Sequence, residues 1–251
     1  MFRPRIIPVL LIRNNVLVKS VRFKKHKYIG DPLNAVRIFN EHRADELVLL
    51  DIDATRQQRC ISPELVKNIS EETDMPLAVG GGICTVEQVK ELIAAGAEKV
   101  VIGSCVYRNE IFITEAAHLF GSSSIVVCMD VASNWLGKEM VYVKNGRVNT
   151  GYLPEQFAEK MQRLGAGELI VQSVSNDGIM GGYNIELISR IAAVTSLPLI
   201  ALGGAGSLND LKEAYHKGMA TGLAAGSLFI YKGLKQGVLI NYPDRINLTD
   251  D

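Results

Sequence analysis

The chain has 251 residues, 47% hydrophobic and 22% charged, the make-up of an ordinary globular protein with room for one α/β barrel or two small domains. Lysine plus arginine and aspartate plus glutamate number 27 each, so no whole-chain field exists to hold a polyanion, and nucleic acid is not an expected partner. No apolar run reaches the roughly 18 residues of a membrane span, and Cys60, Cys84, Cys105 and Cys128 form no C-x-x-C pair, which argues against a zinc knuckle or a disulfide framework and predicts reduced core thiols in a cytoplasmic protein.

Arg5 to Ile12 is a near-continuous apolar run, the pattern of a strand buried on both faces. Val16 to Val21 alternates and extends into a hairpin-like loop. The basic stretch Phe23-Lys24-Lys25-His26-Lys27-Tyr28-Ile29-Gly30 reads as mobile, either a lid or a solvated charge run. A helical pattern opens at Asp31-Pro32 and runs through Ala35, Ile38 and Phe39, and Glu46 to Ile52 makes the second strand.

Helix and strand then alternate. Helix Pro63 to Ser70 leads to strand Pro76 to Val79, and helix Val86 to Ala95 to strand Lys99 to Ile102. Helix Glu110 to Phe120 leads to strand Ser124 to Asp130, and helix Glu155 to Leu164 to strand Glu168 to Gln172. Helix Ile185 to Ala193 leads to strand Pro198 to Ala201, and helix Leu208 to Lys217 to a last strand near Thr221 to Ala225. Eight parallel strands alternating with helices fit a closed (β/α)₈ TIM barrel, an α/β fold, read as a single domain over residues 1–251. Trp135 to Gly151 breaks the rhythm. Val141-Tyr142-Val143, the turn signal Asn145-Gly146 and Arg147-Val148 predict a hairpin inserted after the fifth strand.

The third strand ends in Ala78-Val79-Gly80-Gly81-Gly82-Ile83. Glycines where a strand hands over to a helix let backbone N–H groups close on an anion. Leu199-Ile200-Ala201-Leu202-Gly203-Gly204-Ala205-Gly206 repeats the device about 120 residues later, a period that suggests duplicated half-barrels. On a barrel rim, Gly81 and Gly82 would share one phosphate site with Gly103 and Ser104, and Gly203 and Gly204 another with Gly226 and Ser227. Asp177-Gly178 would close the second. Two such cradles suit a substrate phosphorylated at both ends. The four histidines, His26, His42, His118 and His216, have no metal-site spacing, so neither metal nor cofactor is expected. Asp51 and Asp53, at the end of the second strand, are either a carboxylate pair or partners of loop backbone.

Arg5-Ile6-Ile7-Pro8, Gly30-Asp31-Pro32, Ala44-Asp45-Glu46-Leu47, Val79-Gly80-Gly81-Gly82-Ile83, Gly165-Ala166-Gly167-Glu168 and Gly203-Gly204-Ala205-Gly206 together resemble the cyclase subunit of imidazole glycerol phosphate synthase, over almost the whole chain. The resemblance implies a half-barrel duplication in histidine biosynthesis. Such a barrel accepts ammonia from a glutaminase subunit docked at its bottom, as a heterodimer, and closes an imidazole ring on a bis-phosphorylated substrate. It also implies two catalytic carboxylates, after the first and fifth strands. Asp130 matches the second. The first falls on Leu11, where Val9-Leu10-Leu11-Ile12 replaces the family's Cys-Leu-Asp-Val, and a leucine cannot transfer a proton. Gly103 replaces the family's asparagine after the fourth strand. Lys19, Asp51 and Asp177 keep positions that in the family face the substrate. Arg5, Glu46, Lys99 and Glu168, at strand starts, match the family's charged ring gating the ammonia passage, and Glu98 its acidic contact to the glutaminase.

The expectation is a synthase-type (lyase) barrel in a glutamine amidotransferase complex, with an incomplete catalytic pair. Its retained bottom and altered top point to a paralogue serving amidation of a surface-polysaccharide sugar. The alternatives are a working histidine-pathway cyclase and a non-catalytic, phosphate-binding activator of the glutaminase.

Overall fold

A computed structural model describes residues 3–232 and 237–243. Eight strands form a closed parallel barrel, which we label β1 (Arg5–Arg13), β2 (Leu47–Asp51), β3 (Leu77–Gly80), β4 (Lys99–Ile102), β5 (Ile125–Ser133), β6 (Glu168–Ser173), β7 (Leu199–Leu202) and β8 (Gly222–Ala225). Each pairs with its neighbours in chain order, and β8 pairs with β1 from Arg5↔Gly222 to Pro8↔Ala225, which closes the ring. Between and after them run α1 (Pro32–Glu41), α2 (Pro63–Ser70), α3 (Val86–Ala94), α4 (Ile111–Phe120), α5 (Pro154–Leu164), α6 (Ile185–Ala192), α7 (Leu208–His216) and the short α8 (Ser227–Ile230). No helix among the described residues is long and apolar enough to cross a membrane.

Strand side chains alternate between the two faces of the sheet, which divides the core in two. Ile6, Leu10 and Ile12 of β1 face outward and pack with the helices. Ile7 and Val9 face inward, where they meet Val48, Val101, Val126, Ile170 and Ile200 in a separate plug inside the barrel. The same alternation dictates what lies above and below that plug. Below it, at the strand starts, come Arg5, Glu46, Lys99 and Glu168. Above it come Leu11, Leu50 and Cys128, which pack on the plug, then Asp130 and Gln172.

The two halves repeat in detail. Gly81 and Gly82 after β3, and Gly203 and Gly204 after β7, all have positive φ. Four residues past the first glycine of each pair, Thr85 caps α3 in a reciprocal box with Gln88, and Ser207 caps α7 in the same box with Asp210. The glycine turn and the capped helix therefore recur as one unit.

Two expectations are corrected. The stretch from Phe23 to Gly30 is not a mobile loop: Lys24–Gly30 is a strand, antiparallel to Val16–Val21, which is in turn antiparallel to the upper part of β1. Its basic residues are exposed because the strand lies at the edge of the sheet, where lysine discourages further pairing. The cysteines are free but are not all core thiols. Cys105 is buried, Cys60 and Cys128 are half-buried, and Cys84 is exposed. The inserted hairpin after β5 is present, with strands Glu139–Val143 and Val148–Asn149.

Candidate active site at the barrel mouth

The strand C-terminal ends surround a cavity of about 800 Å³. Its walls hold Asp51, Gly81, Gly82, Gly103, Ser104 and Asp130, so the first expected cradle shares one chamber with the candidate carboxylates Asp51 of the first half and Asp130 of the second. The inserted hairpin roofs it. Lys144 and Asn145 take positive φ at its turn. The Lys144 N–H donates to Ser104 Oγ at 2.8 Å, and Asn145 Nδ2 donates to the Ile52 carbonyl oxygen at 2.8 Å. The hairpin thereby links the loops after β2 and β4.

Gly82 shows why the turn needs glycine. Its φ is +67°, and a Cβ there would fall on the carbonyl oxygen of Arg59.

Sequence reading missed the chamber's cations. Arg56, Arg59, Arg108, Lys144 and Arg147 line it, together with His26. Arg56 pairs with Asp53, and Arg59 with Asp51 at 2.6 Å. Arg108, Lys144 and Arg147 have no ion-pair partner among the described residues. These side chains come from three different loops, with no spacing rule in the chain to mark them, and only the fold collects them. The arrangement can hold an anion.

The carboxylate of Asp51 is occupied. Its Oδ1 accepts from the N–H groups of Asp53 and Ala54, and its Oδ2 accepts from Arg59. Asp130 is freer. Cys128 Sγ donates to its Oδ1 at 3.7 Å, and burial, reinforced by the charge of Asp177, lifts its pKa to about 7 against the weaker pull of that thiol. A carboxyl at that value can give or take a proton near neutrality.

Lys19, Asp177, Gly178, Gly203, Gly204, Gly226 and Ser227 line a second, much smaller cavity of about 30 Å³. Leu11, Ser20 and Gln172 line both spaces and form the boundary between them. Lys19 lies on the wall of the smaller one. The buried ammonium donates to the Val9 carbonyl oxygen at 2.7 Å, and a Cβ on Gly226 would collide with its Nζ. Burial lowers the Lys19 pKa to about 8, with Asp177 opposing the shift. Asp177 accepts from Ser20 Oγ at 3.1 Å and from the Phe23 N–H at 3.4 Å, and burial raises its pKa. Cys128 Sγ lies between Asp130 Oδ1 at 3.7 Å and Gln172 Oε1 at 4.0 Å, at the boundary of the two cavities.

At the opposite end of the barrel, Arg5 and Lys99 each bond to both Glu46 and Glu168, the Lys99 contacts measuring 3.0 and 3.1 Å. Glu46 is 1% exposed and Glu168 5%. Glu98, just before β4, is exposed at the same end, and its N–H bonds to the Leu77 carbonyl oxygen at 2.9 Å.

The family profile described as "Histidine biosynthesis protein" matches residues 5–235. A protein of Leptospira interrogans named "Putative imidazole glycerol phosphate synthase subunit HisF" is 42% identical over 246 residues, covering 98% of this chain and 97% of its own. One of Vibrio vulnificus, "Putative imidazole glycerol phosphate synthase subunit hisF3", is 46% identical, covering 97% and 94%. "Imidazole glycerol phosphate synthase subunit HisF" of Alkaliphilus metalliredigens is 43% identical, covering 92% of each. The chain belongs to the HisF family.

Within this HisF-family barrel the inward-facing position at the top of β1 is Leu11, apolar, at the boundary between the two cavities. Asp130, on the opposite strand β5, is the carboxylate that stands in the larger chamber without a cationic partner among the described residues.

Proposed function

We propose that this chain is the synthase subunit of a glutamine amidotransferase pair, taking ammonia from a glutaminase at the strand-start end and using it on a phosphorylated substrate at the mouth. The supporting observation is the closed ring of Arg5, Glu46, Lys99 and Glu168, which seals the foot of the barrel below an apolar plug. The ring is neutral and internally satisfied, so it carries no net charge to attract an ion in place of a neutral molecule such as ammonia. Opening it requires a cation to move off two buried carboxylates. Glu98, exposed beside it, would belong to the glutaminase contact. Above the plug, the cations and glycine turns of the first half would take the phosphate, and Asp130 would act as general acid or base.

Leu11 favours the paralogue branch of this reading. Ring closure of the histidine precursor calls for a second carboxylate at the first-strand position, and an alkyl side chain there offers none. The ammonia acceptor would then be a different phosphorylated or nucleotide-linked compound, such as a sugar destined for a surface polysaccharide.

The test is turnover of the bis-phosphorylated imidazole precursor with excess ammonium salt, by the wild-type chain and by Leu11→Asp, with Asp130→Asn as control. An inactive wild type and an active Leu11→Asp support the branch. Equal activity of the two assigns the chain to the histidine reaction instead. If Asp130→Asn leaves ammonia-dependent output intact in the glutaminase complex, the barrel is an activator without chemistry of its own.

A further inference from the structure

The loops that build the first cradle carry a pair of thiols that no step above uses. Cys84 follows Gly81, Gly82 and Ile83 directly and precedes Thr85, the cap of α3. Cys105 follows Gly103 and Ser104 directly, in the short 3₁₀ turn Ser104–Tyr107. The fold brings these two points together across β3 and β4, strands whose ends are far apart in sequence but adjacent in the barrel.

Their contact is direct. Cys105 Sγ donates to the Cys84 carbonyl oxygen at 3.8 Å, which sets the two residues side by side. Both lie on the wall of the large cavity, which gives a small reagent access, and Cys84 is also exposed.

The two sulfurs are unlike. The neighbouring Cys105 thiol lowers the Cys84 pKa to about 7, burial opposing and Arg108 assisting. The position just before a helix N-terminus favours the thiolate as well. Cys105 is shifted the other way, chiefly by the Cys84 thiol and then by burial. One thiol is poised to attack while its neighbour holds its proton. The neighbour's upward shift depends on a Cys84 thiolate, so capping Cys84 removes its largest cause.

We propose that Cys84 and Cys105 are a redox-active pair, with Cys84 the attacking thiol, Cys105 the resolving thiol, and a low-molecular-weight disulfide the co-substrate. In the first step the Cys84 thiolate attacks one sulfur of R–S–S–R, forming Cys84–S–S–R and expelling RS⁻, which takes up the proton lost from Cys84. In the second, Cys105 releases its proton and attacks the Cys84 sulfur, expelling the second RS⁻, which is protonated in turn. Two protein thiols are oxidised to one disulfide, and R–S–S–R is reduced to two R–SH. Closing the bond brings the sulfurs of two residues already in contact to about 2 Å.

Cys60 and Cys128 are poor competitors. Burial raises the Cys60 pKa to about 11, and Cys128 is raised well above its ordinary value by burial and by Asp130. The disulfide would join the two arms of the first cradle, fixing Gly82 relative to Gly103. The pair stands on its own geometry and does not depend on the amidotransferase reading.

The experiment is incubation of the full chain with glutathione disulfide, trapping with N-ethylmaleimide, and peptide mapping by mass spectrometry. The expected result is a fall from four titratable thiols to two, with Cys84 linked to Cys105, and Cys60 and Cys128 alkylated. Cys105→Ser should accumulate a stable glutathione adduct on Cys84, and Cys84→Ser should lose the reaction with all four wild-type-like peptides accounted for by alkylation or serine. A persistent adduct on Cys84 in the wild type, a Cys60–Cys84 bridge, or four unreacted thiols each overturns the proposal.

Discussion

Glu46 and Glu168 enter the barrel foot from opposite strands and are joined twice, once by Arg5 and once by Lys99. Each carboxylate is almost wholly buried and each has two cationic partners, whereas the two cations are partly exposed.

That asymmetry predicts which member of the ring matters most for stability. Glu46→Ala strands Arg5 and Lys99 beside Glu168 and should cost about 3–5 kcal/mol, the usual loss when one partner of a buried ion pair is removed. Lys99→Met leaves Arg5 bound to both carboxylates and should cost about 1–2 kcal/mol. Urea denaturation of the two variants checks the order. Equal losses would show that the ring is not shared as described.

Asp130 should make stability fall as pH rises. Burial lifts its pKa from 3.8 to about 7, so between those values the folded chain holds a proton that the unfolded chain has lost. The stability present below that window is lost as pH climbs through it. Asp130→Asn should therefore exceed the wild type by about 1–3 kcal/mol at pH 8 and match it at the acid end, measured by paired urea titrations. In turnover, the same substitution should lower the rate by about 10²- to 10⁴-fold.

Lys19 should act in the opposite sense. Its pKa is lowered from 10.5 to about 8 by burial, so between pH 8 and 10.5 the unfolded chain holds the extra proton and stability rises with pH. Lys19→Met should flatten that rise. Inorganic phosphate, if it enters the second cradle, needs the charged amine, so its affinity for the wild type should decline above pH 8, as read by calorimetry. An affinity independent of pH in the wild type would place the anion elsewhere.

Gly82→Ala should destabilise the chain by about 2 kcal/mol or more, because the new Cβ meets backbone rather than a side chain that can turn away. Gly103→Ala has open space around it and should cost little. Thermal unfolding of the two variants separates a turn that requires glycine from one that tolerates a methyl group.

The barrel could be read from the chain because each buried strand is a short apolar run flanked by turn residues, as in Leu47–Asp51 and Glu168–Ser173. The glycine turns and the strand-start charges could be read because each sits at a fixed place in that rhythm. Phe23 to Gly30 could not. A run of lysines at a sheet edge has the composition of a loop, and its pairing with Val16–Val21 is settled by tertiary contact. The chamber's cations were hidden for another reason: Arg56, Arg108 and Arg147 sit on separate loops, and their convergence is a property of closure. Nor does sequence distinguish Asp51, held by Arg59 and two backbone N–H groups, from Asp130, which is not so held.

Lys19 also bears on direction. Two halves with the same glycine turns and the same helix caps would, on backbone alone, receive a two-ended ligand either way round. With an ammonium lodged in one socket and an open basic chamber at the other, the exchange of ends is no longer neutral. Under the proposed function, a duplicated scaffold would read the polarity of its ligand, with one lysine head group supplying the difference.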